Sequence, residues 1–95
     1  MSGGHFNYAQ YMLEGIASDI DELIATNDSD EVNEFGDVIG YHYPADIIAK
    51  FDETRKTLRL AEAMAQRVDL LVSGDSGEDS FMEGWQEEVE PLRQV

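Results

Sequence analysis

From Pro44 to about Val72 the chain carries one unbroken helical pattern, and this stretch limits the fold more than any other feature. Ile47, Phe51, Thr54, Leu58, Ala61, Ala65, Val68 and Val72 recur at alternating spacings of four and three, the 3.5-residue period of a helix packed along another helix. Pro44 suits the first turn, where its missing N–H costs nothing. Ser73-Gly74-Asp75-Ser76-Gly77 ends the run, with Gly74 as the expected left-handed cap. A second stripe, Thr57, Leu60, Met64 and Leu71, lies about 100° or more around the same helix. A helix with two stripes has two surfaces to cover, and a chain of 95 residues has little left to cover them with.

The stretch 7–27 reads as a second amphipathic helix, because Tyr8, Met12, Ile16, Ile20, Leu23 and Ile24 repeat at three and four. Asn7 and Gln10 resemble a capping box at its start, and Asn27 and Asp28 are the expected terminators. Residues 28–43 lose the helical period and form a long acidic loop with an aromatic end. A short third helix, about 78–89, presents Phe81, Met82, Trp85 and Val89 before Pro91 stops it. The expected fold is therefore all-α: one domain over residues 1–95, a long antiparallel helical hairpin crossed by a short third helix. Residues 38–43 are the only strand-like segment and have no clear partner. A hairpin of two long helices leaves more apolar edge than one short helix buries, so a two-fold dimer is expected, with Leu60, Met64 and Leu71 at its interface.

Charge narrows the partners. There are 21 Asp and Glu against 6 Lys and Arg, a formal net charge of −15. The distribution is uneven: residues 1–49 hold ten acids and no Lys or Arg, while Lys50, Arg55, Lys56, Arg59 and Arg67 crowd one window of helix 44–72. Binding to a nucleic-acid backbone needs clustered positive charge, so direct contact with DNA, RNA or anionic lipid is not expected. An electrostatic partner should be basic. Nothing in the chain is long and apolar enough to span a membrane, and Met1 to Phe6 lack the basic and apolar regions of a signal peptide. The absence of Cys removes disulfides, thiol nucleophiles and Cys-based zinc sites, and it suits a reducing cytoplasm.

Known chemical motifs fit poorly. Asp28-x-Asp30 opens like a calcium loop, but Val32, Asn33 and Ile39 stand where a ligand, a Gly and a Glu are needed. His5 and His42 match no metal-ligand spacing. Asp19, Asp21, Glu22 and Glu62 can be cast as the magnesium ligands of an all-helical nucleotide hydrolase, but the paired acidic repeat of such enzymes is missing. No cofactor is expected. Asp19 and Asp69 fall near the apolar faces of their helices and need partners, for which Arg55, Arg59 and Arg67 are the candidates. Alternatively Lys56, Arg59 and Arg67 form a small anion-binding strip.

Two segments carry a resemblance: the opening Gly3-Gly4-His5-Phe6-x-Tyr8-x-x-Tyr11, and Ala65-Gln66-Arg67-Val68-Asp69-Leu70-Leu71-Val72-Ser73-Gly74-Asp75-x-Gly77-Glu78-x-Ser80-Phe81. Together they resemble a group of small acidic proteins of tailed phages and prophages. The resemblance implies a protein made in the cytoplasm of a bacterial host. It brings no catalytic residues, and it suggests specific packing for the Gly3 to Phe6 arm and the Ser73 to Phe81 turn.

The reading that follows is a phage-type accessory protein, not an enzyme. Its carboxylates Glu14, Asp21, Glu22, Asp28, Asp30, Glu31 and Glu34 imitate a phosphate backbone and occupy a basic, nucleic-acid-binding surface of a host protein. Inhibitors of CRISPR-type defence and DNA mimics are analogies at the level of class. The alternatives are a helical assembly module whose acids only solvate it, and the magnesium-dependent nucleotide hydrolase.

Overall fold

The structure is a computed structural model and describes residues 5–93. Its main elements are α1 (Tyr11–Ala25), α2 (Ala45–Val72), α3 (Glu78–Gly84), a π-helical turn (Trp85–Val89) and α4 (Glu90–Arg93). Among the described residues there is no strand, only one isolated antiparallel bridge between Val32 and Val38. The all-α expectation therefore holds. No described helix is long and apolar enough to cross a membrane.

Helix α2 is the spine. Its 28 residues make a rod about 42 Å long at 1.5 Å per residue. It begins directly after Pro44, which sits in extended backbone at φ −69° and ψ 165°. It ends where Gly74 takes a left-handed φ of 83°, with the Gly74 and Asp75 amides returning to the carbonyls of Leu71 and Leu70. These are the boundaries that the Pro and Gly signals predict.

Helix α1 starts later than its apolar period suggests. Asn7 and Tyr8 take φ values of 55° and 61°, residues 5–10 form turns, and Gln10 precedes the helix without a side-chain cap bond. The expected capping box is absent because the Gln10 amide is buried and committed to α2, where it donates to Gln66 Oε1 at 2.8 Å and to Asp69 Oδ2 at 3.0 Å.

Pro91 does not stop the third helix. The chain runs helically through to Arg93, and the π turn at residues 85–89 ends one residue ahead of the proline. A proline has no N–H for the carbonyl four residues back and its ring crowds that carbonyl. A wider turn at this point relieves both problems.

Helix α1 and the C-terminal helices both pack on α2, and no Cα of α1 comes within 8 Å of α3, the π turn or α4. The three stretches thus lie side by side with α2 in the middle, in an envelope of 53 × 29 × 13 Å. Among the described residues the fully buried apolar side chains are Ala17, facing α2 from α1, and Val89 in the π turn. The small Ala17 lets α1 approach α2 closely. Gly84 plays the same part on the other flank: a Cβ there would lie 2.5 Å from the Arg67 guanidinium, which packs over it and reaches Glu88 at 3.2 Å.

Candidate functional site

The acidic residues divide into two groups once helix angles become contacts. Glu14 and Asp21, expected in the outward partner-binding set, flank Ala17 and point along one edge of the α1–α2 seam. There Arg59 donates Nε to Glu14 Oε2 at 3.0 Å and Nη2 to Asp21 Oδ2 at 2.5 Å. Arg55 donates to Asp21 Oδ1 at 2.8 Å and to Asp52 Oδ1 at 2.6 Å, and Lys56 reaches Asp52 Oδ2 at 3.0 Å. The physical reason is register: positions 14 and 21 are seven apart, two turns, and so share one face opposite the arginines of α2. Hydrogen bonds from Arg59 and then Arg55 hold Asp21 down to about 2, and the Arg59 guanidinium lowers Glu14 as well. The same contacts raise Arg59. Glu62, left beside this cluster without a cation of its own, is raised by burial and by the negative Glu14.

The arginines therefore meet acids of α1, and the carboxylate of Asp69 is satisfied differently. Asp69 is fully buried, accepting from the His5 backbone N–H at 2.8 Å, Gln10 Nε2 at 3.0 Å and Ser73 Oγ at 3.2 Å. Burial raises its pKa, and the hydrogen bonds from Gln10, the His5 amide, Ser73 and the Phe6 amide outweigh that, so the net direction is down. This contact gives the His5–Phe6 part of the opening segment a specific packing role, while Gly3 and Gly4 lie outside the described residues. Asp19 needs no partner, because it is exposed.

All six Lys and Arg side chains are paired with carboxylates of the same chain. Besides the cluster above, Lys50 meets Glu53 at 3.8 Å, Arg67 meets Glu88 and Arg93 meets Glu90 at 3.1 Å. The proposed anion-binding strip of Lys56, Arg59 and Arg67 is thus already filled by Asp52, by Glu14 and Asp21, and by Glu88.

The second acidic group is the outward one. Glu22, Asp28, Asp30, Glu31, Glu34 and Asp37 are exposed along the end of α1 and the 28–43 loop. The loop is ordered by its own backbone. Asn33 Oδ1 accepts from the Phe35 and Asp37 amides, Gly36 turns at φ 84°, and the Ile39 amide donates to the Glu31 carbonyl at 2.7 Å. Phe35 stands at the tip, 80% exposed, between these acids. The loop then returns to the end of α1. Gly40 lies so close to it that a Cβ would meet the carbonyls of Ser29, Asn27 and Thr26 at 2.5, 2.6 and 2.7 Å. Buried Asn27 brackets Tyr43, donating Nδ2 to its carbonyl and accepting its N–H, both at 3.0 Å. Asp30 touches His42 Nε2 at 3.3 Å. Glu22 and Asp19 rim a shallow groove floored by Leu23, Ile39 and Tyr41.

The Phe35 tip and the Gly40–Asn27 clamp escaped sequence reasoning. The Asn33-Glu34-Phe35-Gly36 string was the available signal, a turn tetrapeptide with Gly last. Among the described residues no three His, Asp or Glu side chains are placed to hold a metal ion, and Asp21 of the hypothetical magnesium set is bound to two arginines. The predicted interface residues Leu60, Met64 and Leu71 are half-buried, with Leu60 lying beside Leu92 and Arg93 of α4. Comparison with family models, with curated proteins and with solved structures finds no significant match to this chain.

Proposed function

We propose that the protein is a binding module for a basic, nucleic-acid-handling surface of a host protein, and that it excludes nucleic acid from that surface. The observation that carries this reading is the complete internal pairing of its cations. A chain of net charge −15 whose six Lys and Arg are all consumed inside presents outward acids to which no Lys or Arg is paired. The outward set is Glu22, Asp28, Asp30, Glu31, Glu34 and Asp37; Glu14 and Asp21 belong to the helix seam and leave the binding set. Phe35 adds an apolar contact inside that acidic field, the combination that anchors an interface while charge steers the encounter.

The test is recovery of basic proteins from bacterial lysate on immobilised protein, with and without nuclease, compared with a variant carrying Glu22→Lys, Glu31→Lys, Glu34→Lys and Asp37→Lys. The expected result is a nucleic-acid-binding protein recovered better after nuclease, released by rising salt, and lost in the reversal variant. Equal recovery by the reversal variant would remove the electrostatic reading.

A further inference from the structure

One face of the helix layer is apolar and uncovered, and the geometry of the hairpin identifies it. On α1, Glu14 and Asp21 lie to one side of the Ala17 line, and Met12, Ile16, Ile20 and Leu23 to the other. On α2, Arg55, Arg59 and Gln66 lie to one side of Leu58 and Ala65, and Thr54, Ala61, Val68 and Val72 to the other. The Arg–carboxylate contacts place the first two sides together. In an antiparallel pair the other two sides must then also coincide. From Met12 and Ile16 across Ala61 to Val68 and Val72 they make an apolar surface, with Asp19 and Lys50 toward its far end, in a chain that is 28% charged. Met12 is 69% exposed, Ile16 50% and Val72 51%, while Leu13, Ile20, Leu23, Leu58, Ala61, Ala65 and Val68 are half-buried.

We infer that a second copy of this chain covers this face, in a two-fold dimer that buries Met12, Ile16, Ala61, Val68 and Val72. Two magnitudes argue for a copy. A compact chain of 95 residues has a radius of gyration of about 12 Å, and this one has 17.5 Å. A compact monomer of this mass exposes roughly 5,500 Å², about 1,100 Å² less than the 6623 Å² found here. A standard stable interface takes about 800 Å² from each partner, which a chain this extended can give up. A layer one helix thick also lacks the second layer that encloses a core, and two copies face to face supply it. The ion-paired edge lies on the opposite side of the seam from Met12, Ile16, Ala61, Val68 and Val72, and the acidic loop meets this face at its Leu23 end.

This interface differs from the acidic surface of the proposed function, and the two respond oppositely to salt. Self-association of two −15 chains strengthens as salt screens their repulsion, whereas attachment to a basic partner weakens. Sedimentation equilibrium should give about twice the 10.7 kDa chain mass for the full-length wild type, and a twofold lower mass for Ile16→Glu combined with Val68→Glu. Circular dichroism reports whether that variant keeps its helices. Because the chain has no Cys, single reporters Ile16→Cys and Ala61→Cys provide a second measurement that does not depend on a disrupted fold. Their reaction with a soluble disulfide reagent should slow as protein is concentrated, while Glu87→Cys, on the exposed side of the π turn, should not. A wild type that stays monomeric at high concentration and high salt, or reporters whose rates ignore concentration, would overturn the inference. The lysine reversal variant of the acidic loop should dimerise like the wild type, so failure of one proposal leaves the other standing.

Discussion

Asn27→Ala tests whether the acidic loop is held by the end of α1. The Asn27 side chain is 5% exposed and makes two bonds to the Tyr43 backbone, one donated and one accepted, both at 3.0 Å. Alanine removes both and leaves the Tyr43 N–H and C=O to partial solvation. At about 1 kcal/mol per lost hydrogen bond, the cost is about 2 kcal/mol. In a domain of this size 1 kcal/mol moves the melting temperature by roughly 4–8 °C, so the midpoint should fall by about 10 °C. Hydrogen exchange localises the effect: the Tyr43 amide should lose protection, while His42, whose amide donates to the Asn27 backbone carbonyl at 2.9 Å, should lose less. Asn27→Asp sharpens the test. A carboxylate still accepts the Tyr43 N–H but cannot donate to the Tyr43 carbonyl, and it repels Asp28, so this variant should regain stability as pH falls and the new acid protonates. A melting temperature within about 3 °C of wild type for Asn27→Ala would refute the assignment of Asn27 as the loop's anchor.

Three further outcomes follow from the same geometry. Asp21 is depressed to about 2, with Glu14 and Asp52 also lowered, so their stabilisation is complete above the ordinary carboxylate range and drains away as pH falls toward 2; melting curves from pH 7 to 2 should decline most steeply below about 4, and Arg59→Gln should flatten that decline. Gly40→Ala should be at least as damaging as Asn27→Ala, because its Cβ meets three backbone carbonyls that cannot rotate away, at about 1–3 kcal/mol or more, read as a lower denaturation midpoint. Asp69→Ala should release the segment before α1, seen as faster exchange of the His5 and Phe6 amides, with little change at the acidic loop.

What the sequence made legible was whatever depends on local period and punctuation. The Ile47 to Val72 seam, Pro44 and Gly74 mark α2 to within a residue, because each acts on its own neighbours. What stayed hidden depends on residues far apart in the chain. Gln10 looks like a capping residue until Asp69, 59 positions away, is placed beside it. Glu14 and Asp21 look solvent-facing because α1 is equally polar there whether it faces water or arginine. A single helix cannot tell which, since a guanidinium neutralises a carboxylate from a neighbouring helix as well as solvent hydrates it. Pro91 misleads for a related reason: its effect on the helix depends on whether the preceding turn can widen, and residues 85–89 do widen.

The two edges of the α1–α2 seam differ in chemistry, and that difference sets two salt effects against each other. On one edge Arg55 and Arg59 bind Asp21 and Glu14 with side chains about one-third exposed, so screening over about 8 Å at physiological ionic strength weakens them. In the proposed dimer the apolar surface of α1 and α2 on the other edge meets a second copy, and screening would remove the repulsion between two chains of −15. Partly exposed ion pairs contribute modestly in a screening solvent, whereas in the proposed dimer the repulsion acts across every outward acid of both copies. The net effect of moderate salt should therefore be stabilising, with a rise in melting temperature that depends on protein concentration. In the Ile16→Glu, Val68→Glu variant the concentration dependence should vanish. A salt response identical in the two proteins would mean that the apolar face carries no intermolecular contact.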